Sequence, residues 1–391
     1  MRFTRRVTAQ AVVCTLLAAG LAGCTSDPDE AADITEVVIG ADLASTSPVD
    51  TAYARALELK VNQINAAGAL GDRRLVLRIL DNRSDRTASQ RNISTLGDDP
   101  AVAAVVTGSC GRCVVEAART INDKRIPTIS LAASDEVVDP VAERRFVFKL
   151  GPNSRDSNAH LTAELKRTGA KRVGVLAVDD DYGNSGAADL KVKLEGEDGD
   201  SGIEVPATVK VKPAATDITQ AVGTLTDSEP EALVFMVGPE QAALAASAAR
   251  TSGYRGKIYF DAAAAGDMFI PQESAGATEE AVMVFTQILA IDDVIATTPA
   301  KAARKQWFRD YTSRYGSYSG VASFAADAAD LIGDAVAKVG TDRSRLRDVL
   351  ETSQVDGLSG PIRMTPDNHS GLMPQALTLL VARSGRWRLQ S

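Results

Sequence analysis

The sequence predicts an α/β fold in two lobes, on three observations. Short apolar runs alternate with stretches of helical periodicity from Val37 onward. The series restarts after Gly151-Pro152, and 391 residues exceed what a single domain of about 150 residues usually holds. Runs that are apolar throughout suit strands buried on both faces, so the sheets are expected to be parallel with helices on both faces.

The elements follow in order. Val37-Val38-Ile39 reads as a strand, and Tyr53, Leu57, Val61 and Ile64 then recur at helical spacing until Gly68 stops the helix. Strands are expected over 75–80, 102–106 and 126–131, with helices starting near Thr87 and Cys113. A capped helix covers 153–169. The second series places strands at 173–178, 232–237 and 258–260, separated by helices led by Gly183, Asp217 and Pro239. One long helical stretch, 300–339, carries Trp307, Phe308, Tyr311 and Leu331, and strands return after Gly357. That stretch is read as the chain crossing back to the first lobe. The expected lobes are therefore 37–152 with 286–357, and 153–285 with 358–391.

Charge and composition exclude several classes. With 43 Lys and Arg against 51 Asp and Glu, the net charge of −8 lacks the basic footprint of a nucleic-acid binder. The two histidines, His160 and His369, lie far apart in sequence and argue against a His-rich metal centre or a Ser-His-Asp hydrolase. An aromatic content of 5% argues against an aromatic sugar platform. No cofactor, metal or catalytic residue is expected.

The N-terminus indicates where the protein works. Arg2, Arg5 and Arg6 precede an apolar run over 11–23, the pattern of an export signal and shorter than the about 20 residues of a spanning helix. The Arg5-Arg6 pair fits either twin-arginine export or an ordinary basic leader. The run ends Leu21-Ala22-Gly23-Cys24, which resembles the lipobox of bacterial lipoproteins, so cleavage before Cys24 would leave a lipid-anchored chain on the extracytoplasmic face of the membrane. Residues 24–36 then form an acidic tether with Asp27, Asp29, Glu30, Asp33 and Glu36. Removing 1–23 takes three arginines and no acids, leaving net −11. Cys14 leaves with the signal, so Cys110 and Cys113 alone remain beside the anchor. An oxidising compartment favours a disulfide between them, while the same Cys-x-x-Cys at a helix start also admits a thiol oxidoreductase.

Ligands of open parallel sheets sit beyond the carboxyl ends of the strands. The residues there are 109–113, 132–135, 179–182 and Asp261. Gly111 beside a helix start offers backbone N–H groups for a carboxylate, or makes a tight turn. Ser134 offers a hydroxyl, or caps a helix. Asp261 would take an ammonium, or is an exposed loop acid.

Those loops, in that order behind a lipobox, resemble the type I periplasmic binding proteins of ABC transporters, specifically the leucine/isoleucine/valine-binding family, from Glu36 to about Leu389. The stretches that carry the resemblance are Val105-Val106-Thr107-Gly108-Ser109-Cys110, Ile126-Pro127-Thr128-Ile129-Ser130-Leu131-Ala132-Ala133-Ser134, Val175-Leu176-Ala177-Val178-Asp179-Asp180-Asp181-Tyr182-Gly183, and the returning segment with Gly360-Pro361-Ile362. The resemblance implies a two-lobed type I periplasmic-binding fold, three hinge crossovers, and closure around a ligand in the cleft. It implies that Ser109, Gly111 and Ser134 hold a carboxylate. The Ala132 carbonyl, the Ser134 hydroxyl and Asp261 would surround an ammonium, with Tyr182 closing the cleft from the second lobe. The implied role is capture of a small polar solute, an amino acid foremost, for an ABC permease. A sensor that presents its closed form to a membrane receptor would share every one of these residues. The sequence departs from the family at Val49 and Val237-Gly238, where it lacks an aromatic ring, and in the alanine run 262–265. At Arg112 a small hydroxyl residue is common; the arginine would pair an extra ligand acid or point to solvent.

Overall fold

The computed structural model describes residues 35–196, 202–213, 215–268 and 270–390. The expected signal (1–23), Cys24 and nearly all of the acidic tether lie outside the described residues.

The first sheet is built by β1 (Thr35–Leu43), α1 (Pro48–Ala66), β2 (Arg73–Asp81), α2 (Arg86–Asp98), β3 (Val102–Thr107), α3 (Gly111–Asp123), β4 (Thr128–Ser130) and β5 (Val147–Lys149). Its strands run parallel in the order β2-β1-β3-β4-β5. Every residue of β3 is buried, as a central strand covered on both faces requires. β1 divides its side chains by alternation: Val37, Ile39 and Ala41 join the large core with Ala56 and Leu57 of α1, and Val38 packs with Leu96 of α2. Helix starts are capped as their sequence suggests. Ser47 accepts from the Asp50 N–H ahead of Pro48, and Asp85 accepts from the Ala88 N–H.

The second series comprises α4 (Ser154–Thr168), β6 (Val173–Val178), α5 (Asp181–Glu195), β7 (Thr208–Val211), α6 (Thr219–Asp227), β8 (Ala232–Met236), α7 (Pro239–Thr251), β9 (Lys257–Phe260), α8 (Gln272–Thr278) and β10 (Val282–Thr286). The chain continues through α9 (Pro299–Tyr315), α10 (Ala322–Val339), α11 (Arg343–Glu351), β11 (Gln354–Asp356), β12 (Pro361–Arg363), β13 (Leu377–Arg383) and β14 (Arg386–Leu389). The second sheet has the order β14-β13-β10-β9-β8-β6-β7. It is parallel from β7 to β10, and β13 and β14 add an antiparallel edge.

The helical stretch expected as one element is two helices. Gly316 closes α9 at φ +82°, a conformation that suits glycine, and the following turn redirects the chain into α10. Both helices return to the first sheet's layer. The Tyr315 hydroxyl donates to the Arg55 carbonyl at 3.0 Å, Gln63 donates to Asp310 at 3.0 Å, and α10 lies along α1. Arg343 of α11 then ties the far end of β3, its guanidinium donating to the carbonyls of Val102, Gly97 and Asp99.

Three segments join the two sheets, and one buried lysine organises two of them. Lys149 is fully buried, and its ammonium donates to Gly151 O at 2.7 Å, Pro152 O at 3.0 Å and Asn153 Oδ1 at 2.8 Å. The same Asn153 Oδ1 accepts from Ser370 Oγ at 2.7 Å. The Lys149 N–H donates to His369 O, and the Gly371 N–H donates to Lys149 O. Residues 369–371 therefore run along the β5 edge. The sequence places the return to the second lobe at 357/358, whereas these hydrogen bonds keep the chain beside the first sheet until it leaves for β13.

Candidate functional site

Strand order locates the crevices before any residue is considered. The first sheet reverses direction between β1 and β3, and the second between β6 and β8. Ligand sites of open sheets form beyond the carboxyl ends at such points.

At the first reversal a buried acid ties the two loops together. Asp50, in the first turn of α1, accepts from the Ala44 N–H at 2.8 Å and the Ser109 N–H at 2.9 Å. Burial raises its pKa, and these donors act against that rise. Gly108 is required here, because a Cβ would lie 2.2 Å from the Asp50 carboxylate. The Ser109 N–H is thus committed within the protein, and its side-chain hydroxyl also acts on the Asp50 carboxylate, so this residue closes the loop rather than offering a free donor.

Three of the six expected residues converge. A Cβ placed on Gly111 would meet Ser134 Cβ at 3.0 Å and Ala132 Cβ at 3.7 Å, so α3 begins directly over the loop after β4. Gly111 and Arg112 are the first residues of α3, and their N–H groups have no acceptor within the helix. Ser134 is 5% exposed and its Oγ has no hydrogen-bond partner among the described residues. It precedes a short 3₁₀ turn without capping it, so the cap reading gives way to a free hydroxyl. Leaving such a group unpaired costs about 1–3 kcal/mol, which a ligand would recover. The Ala132 carbonyl faces the first crossover, where a Cβ on Gly151 would stand 2.5 Å from it. The Cys110 and Cys113 sulfurs lie at disulfide distance, 2.05 Å, and Cys110 Sγ also accepts the Cys113 N–H, which fixes the turn around Gly111.

From the second sheet, Asp261 follows β9 and is fully buried, which rules out the exposed loop acid. Its Oδ1 accepts from the Ala263 N–H at 3.2 Å, and its Oδ2 is buried with no partner among the described residues. Burial pushes its pKa up to about 8. No hydrogen bond among the described residues joins Asp261 to the Gly111, Ala132 and Ser134 group. Tyr182, half-buried, stands in the first turn of α5. Beside it Asp181 accepts from Arg112 Nη1 at 2.9 Å, so the two lobes meet where α3 and α5 begin. Arg112 therefore points neither to solvent alone nor to a free position; Glu116 takes its Nε at 3.0 Å.

Asp50 and Lys149 are the residues that sequence reasoning does not single out, and Asp181, within the expected 179–182 loop, is given no role there. Asp50 carried one signal: an acid in the first turn of the helix that follows the first strand. A separate groove of about 220 Å³, lined by Gln287, Arg304, Asp356, Ser359 and Gln375 among others, lies at the crossovers and includes none of the six expected residues.

A family model described as periplasmic binding protein matches residues 37–386. Among solved structures, the chain is similar to an extracellular ligand-binding receptor from Rhodopseudomonas palustris HaA2, with 22% identity, TM-score 0.79, and coverage of 91% of this chain and 99% of that one. It is similar to a leucine-binding protein from Thermotoga maritima MSB8, at 19% identity, TM-score 0.74, and coverage of 91% and 98%. It is also similar to an ABC transporter substrate-binding protein from Desulfitobacterium hafniense in complex with Leu, at 17% identity, TM-score 0.71, and coverage of 91% and 100%. No curated protein matches the chain. These likenesses bear on the fold, and the family match runs through both sheets and all three crossovers: the chain belongs to the type I periplasmic binding proteins, the family of the leucine/isoleucine/valine-binding proteins.

Proposed function

We propose that the chain is an extracytoplasmic lipoprotein, anchored through Cys24, that captures a small polar solute between its lobes and delivers it to an ABC permease. The foremost ligand class is a free α-amino acid. In this reading the N–H groups at Gly111 and near Ser134 receive the carboxylate. The Ser134 hydroxyl, the Ala132 carbonyl and Asp261 receive the ammonium, and Tyr182 closes over the ligand. The lobes are 37–152 with 286–357, and 153–285 with 358–391, the second boundary moved to about 371 by the pairing of 369–371 with Lys149. The observation that carries the reading is a pair of buried oxygens without partners, Ser134 Oγ and Asp261 Oδ2, each just beyond the carboxyl end of a strand. One offers a hydroxyl and the other a latent negative charge, which together suit an ammonium, and the free N–H groups where α3 begins supply the complement of the carboxylate. The bound Leu of the Desulfitobacterium relative supports the class.

The test is a thermal-shift screen of residues 25–391 against amino acids, polyamines, sugars and small organic acids, followed by calorimetry on variants. An amino acid at 100 times its Kd should stabilise by about 2.7 kcal/mol. Asp261→Asn should lose on the order of 2–5 kcal/mol of binding, about 30-fold or more, and Ser134→Ala about 1–3 kcal/mol. A chain that responds to sugars alone, or an Asp261→Asn variant that binds as tightly as the parent, overturns the zwitterion assignment. In cells, Cys24→Ala is expected in the soluble fraction; a processed variant that stays with membranes removes the anchor.

A further inference from the structure

Arg112 occupies an electrostatically unfavourable place. It is the second residue of α3, and a helix N-terminus carries roughly half a positive charge, which disfavours a cation. Asp181, its partner, is the first residue of α5, so two positive helix ends approach each other from different lobes. Two half-charges of the helix ends and the guanidinium then meet at one point, and the Asp181 carboxylate, with Glu116 on the guanidinium's other side, offsets them. The guanidinium is held in position from within the first lobe. Its Nε donates to Glu116 Oε1 at 3.0 Å, and Glu116 is itself held by Arg86 at 2.9 Å and Gln90 at 3.2 Å. The Cys110–Cys113 bridge brackets Arg112 and limits the freedom of its backbone. On the second lobe Asp181 has no other cation within ion-pair distance among the described residues, whereas its neighbour Asp179 lies 4.0 Å from Lys210.

We propose that Arg112 and Asp181 form an inter-lobe latch that favours the closed protein and so sets ligand affinity without touching the ligand. The inference rests on the reading of two lobes that close over a solute. It also narrows the solute class: Arg112, engaged by Asp181 and Glu116, is not spare for a second ligand acid, which favours monocarboxylates over dicarboxylates. Both residues are positioning residues. Their pair is partly exposed, so its contribution is that of a surface ion pair and is screened by salt.

The experiment measures closure directly. Spin labels on Arg119→Cys and Lys191→Cys, exposed positions on α3 and α5, report the inter-lobe distance by double electron–electron resonance. The free protein and the protein with a mixture of proteinogenic amino acids are compared in low and high salt, on the parent, Arg112→Ala, Asp181→Ala, the double variant and Arg112→Lys. The expected result is a closed-to-open ratio about 2- to 5-fold lower in either single alanine variant at low salt. The double variant should be no worse than the singles, Arg112→Lys should recover part of the loss, and high salt should shift the parent and, less, Arg112→Lys, but not the alanine variants. Distance distributions of the single variants that superimpose on the parent in both conditions overturn the latch. A parent whose distances ignore amino acids while the variants still shift the free protein overturns the ligand reading and leaves the latch standing.

Discussion

A buried carboxyl group whose few backbone donors do not offset its loss of water holds its proton, and Asp261 is in that situation. One oxygen accepts from the Ala263 N–H, the other has no partner among the described residues, and burial pushes the pKa up to about 8. The native state therefore keeps a proton that the unfolded chain, with an ordinary pKa of 3.8, has already released. By linkage this group makes the free protein less stable as pH rises from about 4 toward 8. A ligand ammonium beside Oδ2 needs the charged form, so binding must expel the proton. Below pH 8 the apparent affinity should then rise about tenfold per pH unit, on the order of 50-fold between pH 6 and pH 8, and flatten above. Calorimetry of the screened amino acid across that range checks it. Asp261→Asn, nearly isosteric with the protonated acid, should keep the fold and bind weakly with no such slope. A parent affinity that is flat from pH 6 to pH 8 removes the ammonium from Asp261.

Elements were legible where their burial was uniform. β3 and β6 are buried at every position, and their apolar runs give them away. β7 gives no such run: Thr208 and Lys210 are exposed on the sheet's edge, and its alternation of polar and apolar residues spans only four positions. β10 carries five buried residues of the same kind as β6, yet the expected strand set omits it; its antiparallel neighbour β13, and β14 paired to the far side of β13, are covered only by the expectation that strands return after Gly357. α9 and α10 share helical periodicity, which hides the break that Gly316 makes. The site divides along the same line. Gly111, Ala132 and Ser134 could be placed because a strand end fixes where the next loop lies. The Arg112–Asp181 contact joins residues 69 apart in sequence and depends on how the lobes face each other, which no local pattern encodes. The partners of Lys149 are two backbone carbonyls and an amide, groups that every sequence offers everywhere.

For the molecule as a whole, Lys149 links stability to the crossovers. Its ammonium satisfies three acceptors at the first crossover, and its backbone pairs with 369–371, so two connections between the lobes share one residue. Burying an ammonium is costly, and here burial lowers its pKa from 10.5 to about 8, with Asp135 and Asp156 acting weakly in the other direction. At pH 7 the unfavourable part of that burial is about 3 kcal/mol, present in full below pH 8. Between pH 8 and pH 10.5 the unfolded chain holds a proton that the native state sheds, so stability from this group rises with pH through that window. Lys149→Met removes the titration. It also leaves Gly151 O and Pro152 O without the ammonium donor and Asn153 Oδ1 with Ser370 Oγ alone, so the variant should be less stable than the parent by about 2–4 kcal/mol near pH 7.5. Because all other groups titrate alike in the two proteins, their difference isolates Lys149 and should grow by about 2 kcal/mol from pH 7.5 to pH 9.5. Urea unfolding at the two pH values measures it. A gap that stays constant shows that the ammonium keeps its ordinary pKa in the folded protein, and with it that the first crossover admits water around Nζ.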